Sequence, residues 1–344
     1  MKISTQLRYD VPPAEVARQA VDLEAAGLDL IWVAEAYGVD AVSIMGYLAA
    51  VTERVEIASG ILPLYTRTPT LLAMTAAGVD ALSGGRCVLG LGASGPQVIE
   101  GFHGVPYDKP LTRTREIIEI CRQVWKRERV EFEGKAYTIP LPPEQGTGLG
   151  KPLKLITHPV RDRIPIHVAA LGPKNVELTA EIADGWLPLF YLPEKANDVW
   201  GDDLARGAAK RADDLEPLEV VAGGLVAIGP SDEVKAFRDF ARPMVALYVG
   251  GMGARGRNFY NDLVCRYGFE KEATEIQDLY LDGKKEEAAA AIPDDLLEAT
   301  TICGDEGYVK DRLAAYRESG VTMLNITPIG DAADIVGKLK DWTG

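Results

Sequence analysis

Residues 69–92, PTLLAMTAAGVDALSGGRCVLGLG, contain in one stretch the unit from which the chain is built. Proline suits a first helical turn, where its missing N–H is no loss. Pro69 to Leu82 therefore reads as a helix, and Ser83-Gly84-Gly85 ends it, because glycine accepts the left-handed backbone of a helix C-terminus without a steric penalty. Arg86 to Gly92 follows at once as a short apolar strand. A helix feeding directly into a buried-looking strand is one half of a repeated βα unit around a parallel sheet.

The layout recurs in both directions. Upstream, Pro13 to Gly27 places Val16, Ala20, Leu23 and Ala26 at helical spacing and offers Gly27 as a C-terminal cap. Downstream, Pro173 to Ala183 runs into Asp184-Gly185. The strand-like segments are Lys2 to Leu7, Leu30 to Ala36, Val55 to Gly60, Arg86 to Gly92, Ile164 to Leu171, Gly185 to Phe190, Leu218 to Ile228 and Val321 to Thr327. Eight such units favour closure into an α/β fold of the (β/α)8 TIM-barrel type, since an open doubly wound sheet usually stops at about five to seven strands. Two regions break the period. Residues 129–163 contain five of the 21 prolines and the flexible 144–150 run, which reads as an insertion of the kind that often forms a lid. Residues 231–299 read as additional helices before a last unit, Glu306 to Thr327. No low-complexity linker divides the chain, so 1–344 is expected to be a single domain.

Composition narrows the function. At 47% apolar and 26% charged residues the chain is globular. No stretch approaches the roughly 20 apolar residues that span a bilayer, and MKISTQLRYD lacks the layout of a signal peptide. A soluble, cytoplasmic protein is expected. The formal charge of -14 and the lack of basic runs argue against nucleic acid and membrane as partners. Cys87, Cys121, Cys265 and Cys303 are scattered singly, and His103, His158 and His167 lie far apart, so no metal and no disulfide framework are expected.

In a barrel of this kind the chemistry lies just beyond the C-terminal ends of the strands. After the second strand, Glu35 and Asp40 bracket Tyr37. A desolvated carboxylate there can protonate or orient a carbonyl, or it can simply cap a helix. After the third strand, Gly60 removes bulk where a planar ring could lie against backbone, and Arg67 can pair with an anion or form a salt bridge. The fourth strand ends in Gly90-Leu91-Gly92-Ala93-Ser94-Gly95-Pro96, whose glycines admit an anion to backbone N–H groups. No ribose-binding acid follows about 20 residues later, which disfavours a dinucleotide fold. After the fifth strand, Gly172-Pro173-Lys174 opens a helix on which a phosphate could rest, although a plain loop-to-helix join uses the same residues. Trp32, Tyr37, Tyr65, Phe102, Trp186 and Tyr191 fall near strand ends and read mostly as core or pocket wall.

In their order and spacing these segments resemble the luciferase-like monooxygenase superfamily, and within it the F420-dependent oxidoreductase branch that holds methylenetetrahydromethanopterin reductase. The resemblance rests on residues 31–35 (IWVAE), 55–61 (VEIASGI), 82–92 (LSGGRCVLGLG), 109–116 (KPLTRTRE), 164–173 (IPIHVAALGP) and 183–186 (ADGW). It implies a non-proline cis peptide at Gly60-Ile61 that supports the middle of a deazaflavin ring. Ser59, Gly60, Ile61 and Leu62 would line that ring, Ala93, Ser94, Gly95 and the Gly172-Pro173-Lys174 turn would hold the phosphate tail, and Gly92 would also belong to the cofactor site. The substrate would lie over the exposed ring face, beneath the insertion, and the family suggests a homodimer. One departure stands out: where the F420 enzymes often carry Asp-His after the second strand, this chain has Glu35-Ala36. Proton transfer is then left to Glu35, Tyr37, another group or water. The implied function is hydride transfer between coenzyme F420 and a small organic molecule. An FMN-dependent monooxygenase on the same barrel and a non-catalytic cofactor-binding protein are the alternatives.

Overall fold

The computed structural model describes residues 1–7 and 11–344, the side chains of 231, 232 and 235 excepted. Eight parallel strands close on themselves: β1 (Lys2–Gln6), β2 (Leu30–Val33), β3 (Glu56–Ser59), β4 (Cys87–Gly92), β5 (Ile166–Ala169), β6 (Gly185–Leu187), β7 (Glu219–Ile228) and β8 (Met323–Pro328). Each pairs with the next, and β8 returns to β1 with Met323 opposite Lys2 and Ile326 opposite Thr5. The chain is a (β/α)8 TIM barrel. Several strands are shorter than the sequence suggests, β2 ending at Val33 rather than Ala36 and β6 at Leu187 rather than Phe190. At the C-terminal rim the backbone leaves the ladder early to build loops.

One strand escapes the sequence reading. Thr301–Gly304, fully buried, pairs with Leu225 to Ile228 of β7. Short β6 reaches only Glu219 and Val220 on that same edge of β7, so the extra strand covers backbone groups that would otherwise lack partners. A second short piece, Leu62–Pro63, pairs with Leu91 and Gly92 of β4.

The strands are buried on both faces, as a sheet covered by helices requires. Ile3, Ile31, Ile57, Leu89 and Leu91 pack outward against the helices, while Leu30, Trp32, Ala58, Val88, Val221 and Met323 fill the barrel. At the N-terminal end of the strands the interior is ionic. Lys2 Nζ lies 3.1 Å from Glu219 Oε1 and 3.4 Å from Glu56 Oε2. His167 Nε2 stands 3.3 Å from the other Glu219 oxygen, and burial pushes its pKa down to about 4, which keeps the ring neutral.

The insertion docks on an outer helix. Its hairpin, Phe132–Glu133 with Thr138–Ile139, lies along the helix Pro110–Trp125, where the Glu116 carboxylate accepts from the amides of Lys135 (2.7 Å), Ala136 (3.0 Å) and Tyr137 (2.9 Å). Its far end is held by Arg161, which binds Asp80 and the Cys87 carbonyl below the rim. Just beyond β6 the rim meets the helices that follow β7, whose Tyr248 and Tyr260 pack on Phe190.

A single carboxylate organises the entry to β3. Glu24, buried in the last turn of the helix Pro13–Ala25, accepts from the amides of Glu53 (3.0 Å), Arg54 (2.6 Å) and Val55 (2.8 Å). Burial pushes its carboxyl up, the three amides outweigh burial, and the net value lies below the ordinary one. A depressed carboxylate pKa contributes stability that is present above the unfolded-state value and lost as pH falls through the folded-state value. Glu24→Gln should therefore cost about 2 kcal/mol at neutral pH. In urea titrations the gap from the parent protein should close as pH falls below about 4; a gap independent of pH would show that charge is not its source.

Candidate active site

The floor of the rim forms where β3 meets β4. A Cβ on Gly90 would stand 1.8 Å from the Ser59 carbonyl oxygen, so only glycine allows this approach. Ser59 locks the contact: its hydroxyl donates to the Gly90 carbonyl at 2.8 Å and accepts from the Gly90 amide at 2.9 Å. Immediately beyond, the Gly60-Ile61 peptide is cis, as the resemblance implies. Gly60 rests on Trp32, whose Cβ would lie 3.1 Å from an added Cβ, and Ile61 lies over Gly92 with Cγ1 at 3.0 Å from the corresponding position. Leu62 differs, being fully buried in the outer core opposite Leu91. Of the four residues expected to line a ring, Gly60 and Ile61 are half-buried while Ser59 and Leu62 are fully buried. Ser59 and Leu62 hold the strand.

Two turns flank the floor. Ser94 adopts the left-handed region at φ 57, uncommon for a non-glycine residue, and Gly95 then caps the short helix Pro96–Gly101. On the other side Gly172 precedes the helix Pro173–Ile182, which has no side-chain cap. Two buried indoles hold the carbonyls before this turn: Trp186 Nε1 donates to Ala170 at 2.8 Å and Trp200 Nε1 to Leu171 at 3.0 Å. Lys174 is exposed and has no ion pair among the described residues, while the Asn175 carboxamide oxygen is buried without a partner. Phe259, from the helices after β7, reaches within 3.6 Å of the space above Gly172.

The loop after β2 proves to be an ionic knot. Arg67 meets Glu35 with both terminal nitrogens, at 2.5 and 2.9 Å, and gives a further bond to Asp40 at 2.8 Å. The second Glu35 oxygen also accepts from the Ala41 amide at 3.1 Å. Both carboxylate oxygens of Glu35 are thus engaged, and its hydrogen bond is the main reason the Arg67 pKa rises. Asp40 caps the helix Ala41–Val51 through Ser43; burial pushes its carboxyl up, but the Ser43 hydroxyl and amide bring it below its usual value. Tyr37 stays 65% exposed, its ring centroid 6.3 Å from that of Phe102.

Sequence reasoning missed the aromatic groups contributed from 247–260. Tyr248 and Tyr260 cross edge-to-face at 4.8 Å, and both meet Phe190, itself left-handed at φ 53. The available signal was Gly250-Gly251-Met252-Gly253, a glycine-rich break inside an otherwise helical region and flanked by tyrosines. Two other concavities, of about 560 Å³ beside Phe132 and Pro140 and about 410 Å³ beside Glu194 and Arg312, are lined by the insertion and outer helices rather than by strand-end loops.

This geometry has close relatives. Residues 1–323 match the model of the luciferase-like monooxygenase family. A Mycobacterium tuberculosis protein assigned as a coenzyme F420-dependent oxidoreductase is 45% identical over 95% of both chains. The 5,10-methylenetetrahydromethanopterin reductase of Archaeoglobus fulgidus is 28% identical over 96% of this chain and 94% of its own. The solved F420-dependent tetrahydromethanopterin reductase of Methanopyrus kandleri superposes with a TM-score of 0.81 at 23% identity, covering 98% of this chain and 96% of that one. On the family match and the 45% identity, the chain belongs to the luciferase-like monooxygenase family.

Proposed function

We propose that this protein is an F420-dependent oxidoreductase acting on a small organic molecule. The observation that carries the reading is the floor made by Gly60 and by Ile61 laid over Gly92, set between two turns that open helices. The relatives' names point to the same cofactor. The residues present fit it. Half-buried Gly60 and Ile61, the latter laid over buried Gly92, leave an apolar surface for a ring, and Ala93, Ser94, Gly95 on one side and Gly172, Pro173, Lys174 on the other suit an anionic tail. The unpartnered Asn175 oxygen beside the second turn is an acceptor awaiting a donor. A deazaflavin carries carbon where a flavin carries N5, and so supplies two-electron hydride transfer rather than oxygen activation.

The protein's own share is to bind, orient and exclude water. Glu35 takes a positioning role in this scheme: it fixes Arg67 and through it Asp40 and the β2 and β3 loops. Tyr37 forms part of the wall. A panel of carbonyl and alkene substrates, assayed with reduced F420 by recovery of the deazaflavin absorbance, should reveal turnover. Glu35→Gln should lower it less than about ten-fold, whereas loss of a general acid typically costs about 100-fold or more. Tight F420 binding without turnover on any substrate would instead mark a carrier protein.

A homodimer is part of the proposal. The helix Ala41–Val51 has no charged residue, and in Pro69–Ser83 the only one, Asp80, is fully buried. Their outer faces leave Tyr47, Leu71, Met74 and Leu82 exposed on a chain of net charge -14. An uncharged two-helix face of this kind suits self-association. Sedimentation should give a dimer for the parent protein and a monomer for Met74→Glu; a monomeric parent would rule the face out.

A further inference from the structure

The rim above the floor is ringed by aromatic side chains from separate segments. Tyr37 follows β2, Tyr107 follows the short helix after β4 and touches the Ser94 carbonyl with its hydroxyl at 3.4 Å, and Phe190 follows β6. Tyr248 and Tyr260 descend from the helices after β7. The two sides lie within electrostatic reach of each other, Tyr37 with Tyr248 and Tyr107 with Tyr260. Buried Asn258 fixes the second side. Its amide donates to the carbonyls of Tyr248 and Val249, both at 2.9 Å, and its oxygen accepts from the Tyr260 and Asn261 amides.

Resting on the oxidoreductase reading, we infer that this collar selects an uncharged, largely apolar substrate with a planar conjugated or aromatic portion and one acceptor oxygen, the oxygen being met by the phenols of Tyr248 and Tyr260. Three observations support the inference. The rings offer flat, apolar walls with polar tips, which favour stacking and a directed hydrogen bond. The ionic groups beside Tyr37 are already spent on one another, since Arg67 is taken by Glu35 and Asp40, so among the described residues of this loop no cation is left open for a carboxylate or phosphate. Neither the Tyr248 nor the Tyr260 hydroxyl has a hydrogen-bond partner among the described residues, although both side chains are largely enclosed. Burial pushes both phenols up, so at neutral pH each keeps its proton and is available as a donor. The exposed cation Lys174 lies at the Gly172 turn, on the cofactor-tail side.

Calorimetric titration with benzylideneacetone, an uncharged phenyl enone, and with trans-cinnamate, its carboxylate counterpart, tests this, in the presence and absence of saturating oxidised F420. The enone should bind at least about ten-fold more tightly than the acid, since one buried unpaired carboxylate outweighs the shared ring contacts. Tyr248→Phe with Tyr260→Phe should weaken the enone at least about three-fold while leaving F420 affinity and the melting temperature unchanged. Equal or tighter binding of cinnamate, no enone binding in either condition, or an unaffected double variant would overturn the collar's role. Absence of F420 binding in the parallel titration would overturn the redox reading alone, because the enone titration without cofactor still reports on the collar.

Discussion

The approach of β3 to β4 is the contact on which the site depends. Gly90 accepts the Ser59 carbonyl where any side chain would collide with it, and the Ser59 hydroxyl then bonds both the amide and the carbonyl of Gly90. With the two strands clamped, the chain turns through cis Gly60-Ile61 and rejoins β4 at Leu62–Pro63, so that Ile61 is laid over Gly92. A floor of Gly60 backbone and Ile61 side chain is the outcome. Trp32 supports it from inside the barrel, against Gly60. Below, Lys2 pairs with Glu56 and Glu219 at the far end of the barrel, with neutral His167 against the second Glu219 oxygen.

A chain of net charge -14 can hold an anionic cofactor because binding is decided locally. The N-terminus of a helix that no side chain caps, a left-handed turn at Ser94 and the single free cation of Lys174 among the described rim residues discussed above act over a few ångströms, whereas distant surface carboxylates are screened over roughly 8 Å at physiological salt. The same economy governs the rest of the rim. Arg67 is neutralised by Glu35 and Asp40, which bracket Tyr37 in the loop after β2, and serves the scaffold.

Much of the fold was legible in the sequence because several barrel strands are apolar runs next to glycine, and helices such as Pro13–Ala25 and Pro69–Ser83 stop at glycines. Thr301–Gly304 was not, because four residues carry no periodicity and their partner lies in β7, far upstream. The floor was visible through the glycines at 60, 90 and 92, but the outward burial of Leu62 depends on how the bulge re-enters the sheet. Glu35 and Arg67 were both noticed as candidates and their union was not, since it is made across two loops by tertiary structure. The insertion read as a lid because length and proline content suggest one. Its docking is decided by Glu116, a single helix residue that no pattern marks. Tyr248 and Tyr260 were hidden for the converse reason, in a region read only for helical periodicity.

The central claim is that the floor and its flanking turns are built for a deazaflavin with an anionic tail. Titrating the purified protein with F420 and separately with FMN, followed by cofactor fluorescence, tests it most directly, with Gly92→Val as the control that raises the floor. The account predicts micromolar or tighter binding of F420, at least about ten-fold weaker binding of FMN, and loss of F420 binding in the valine variant. Preference for FMN, or undiminished F420 affinity in Gly92→Val, would contradict it.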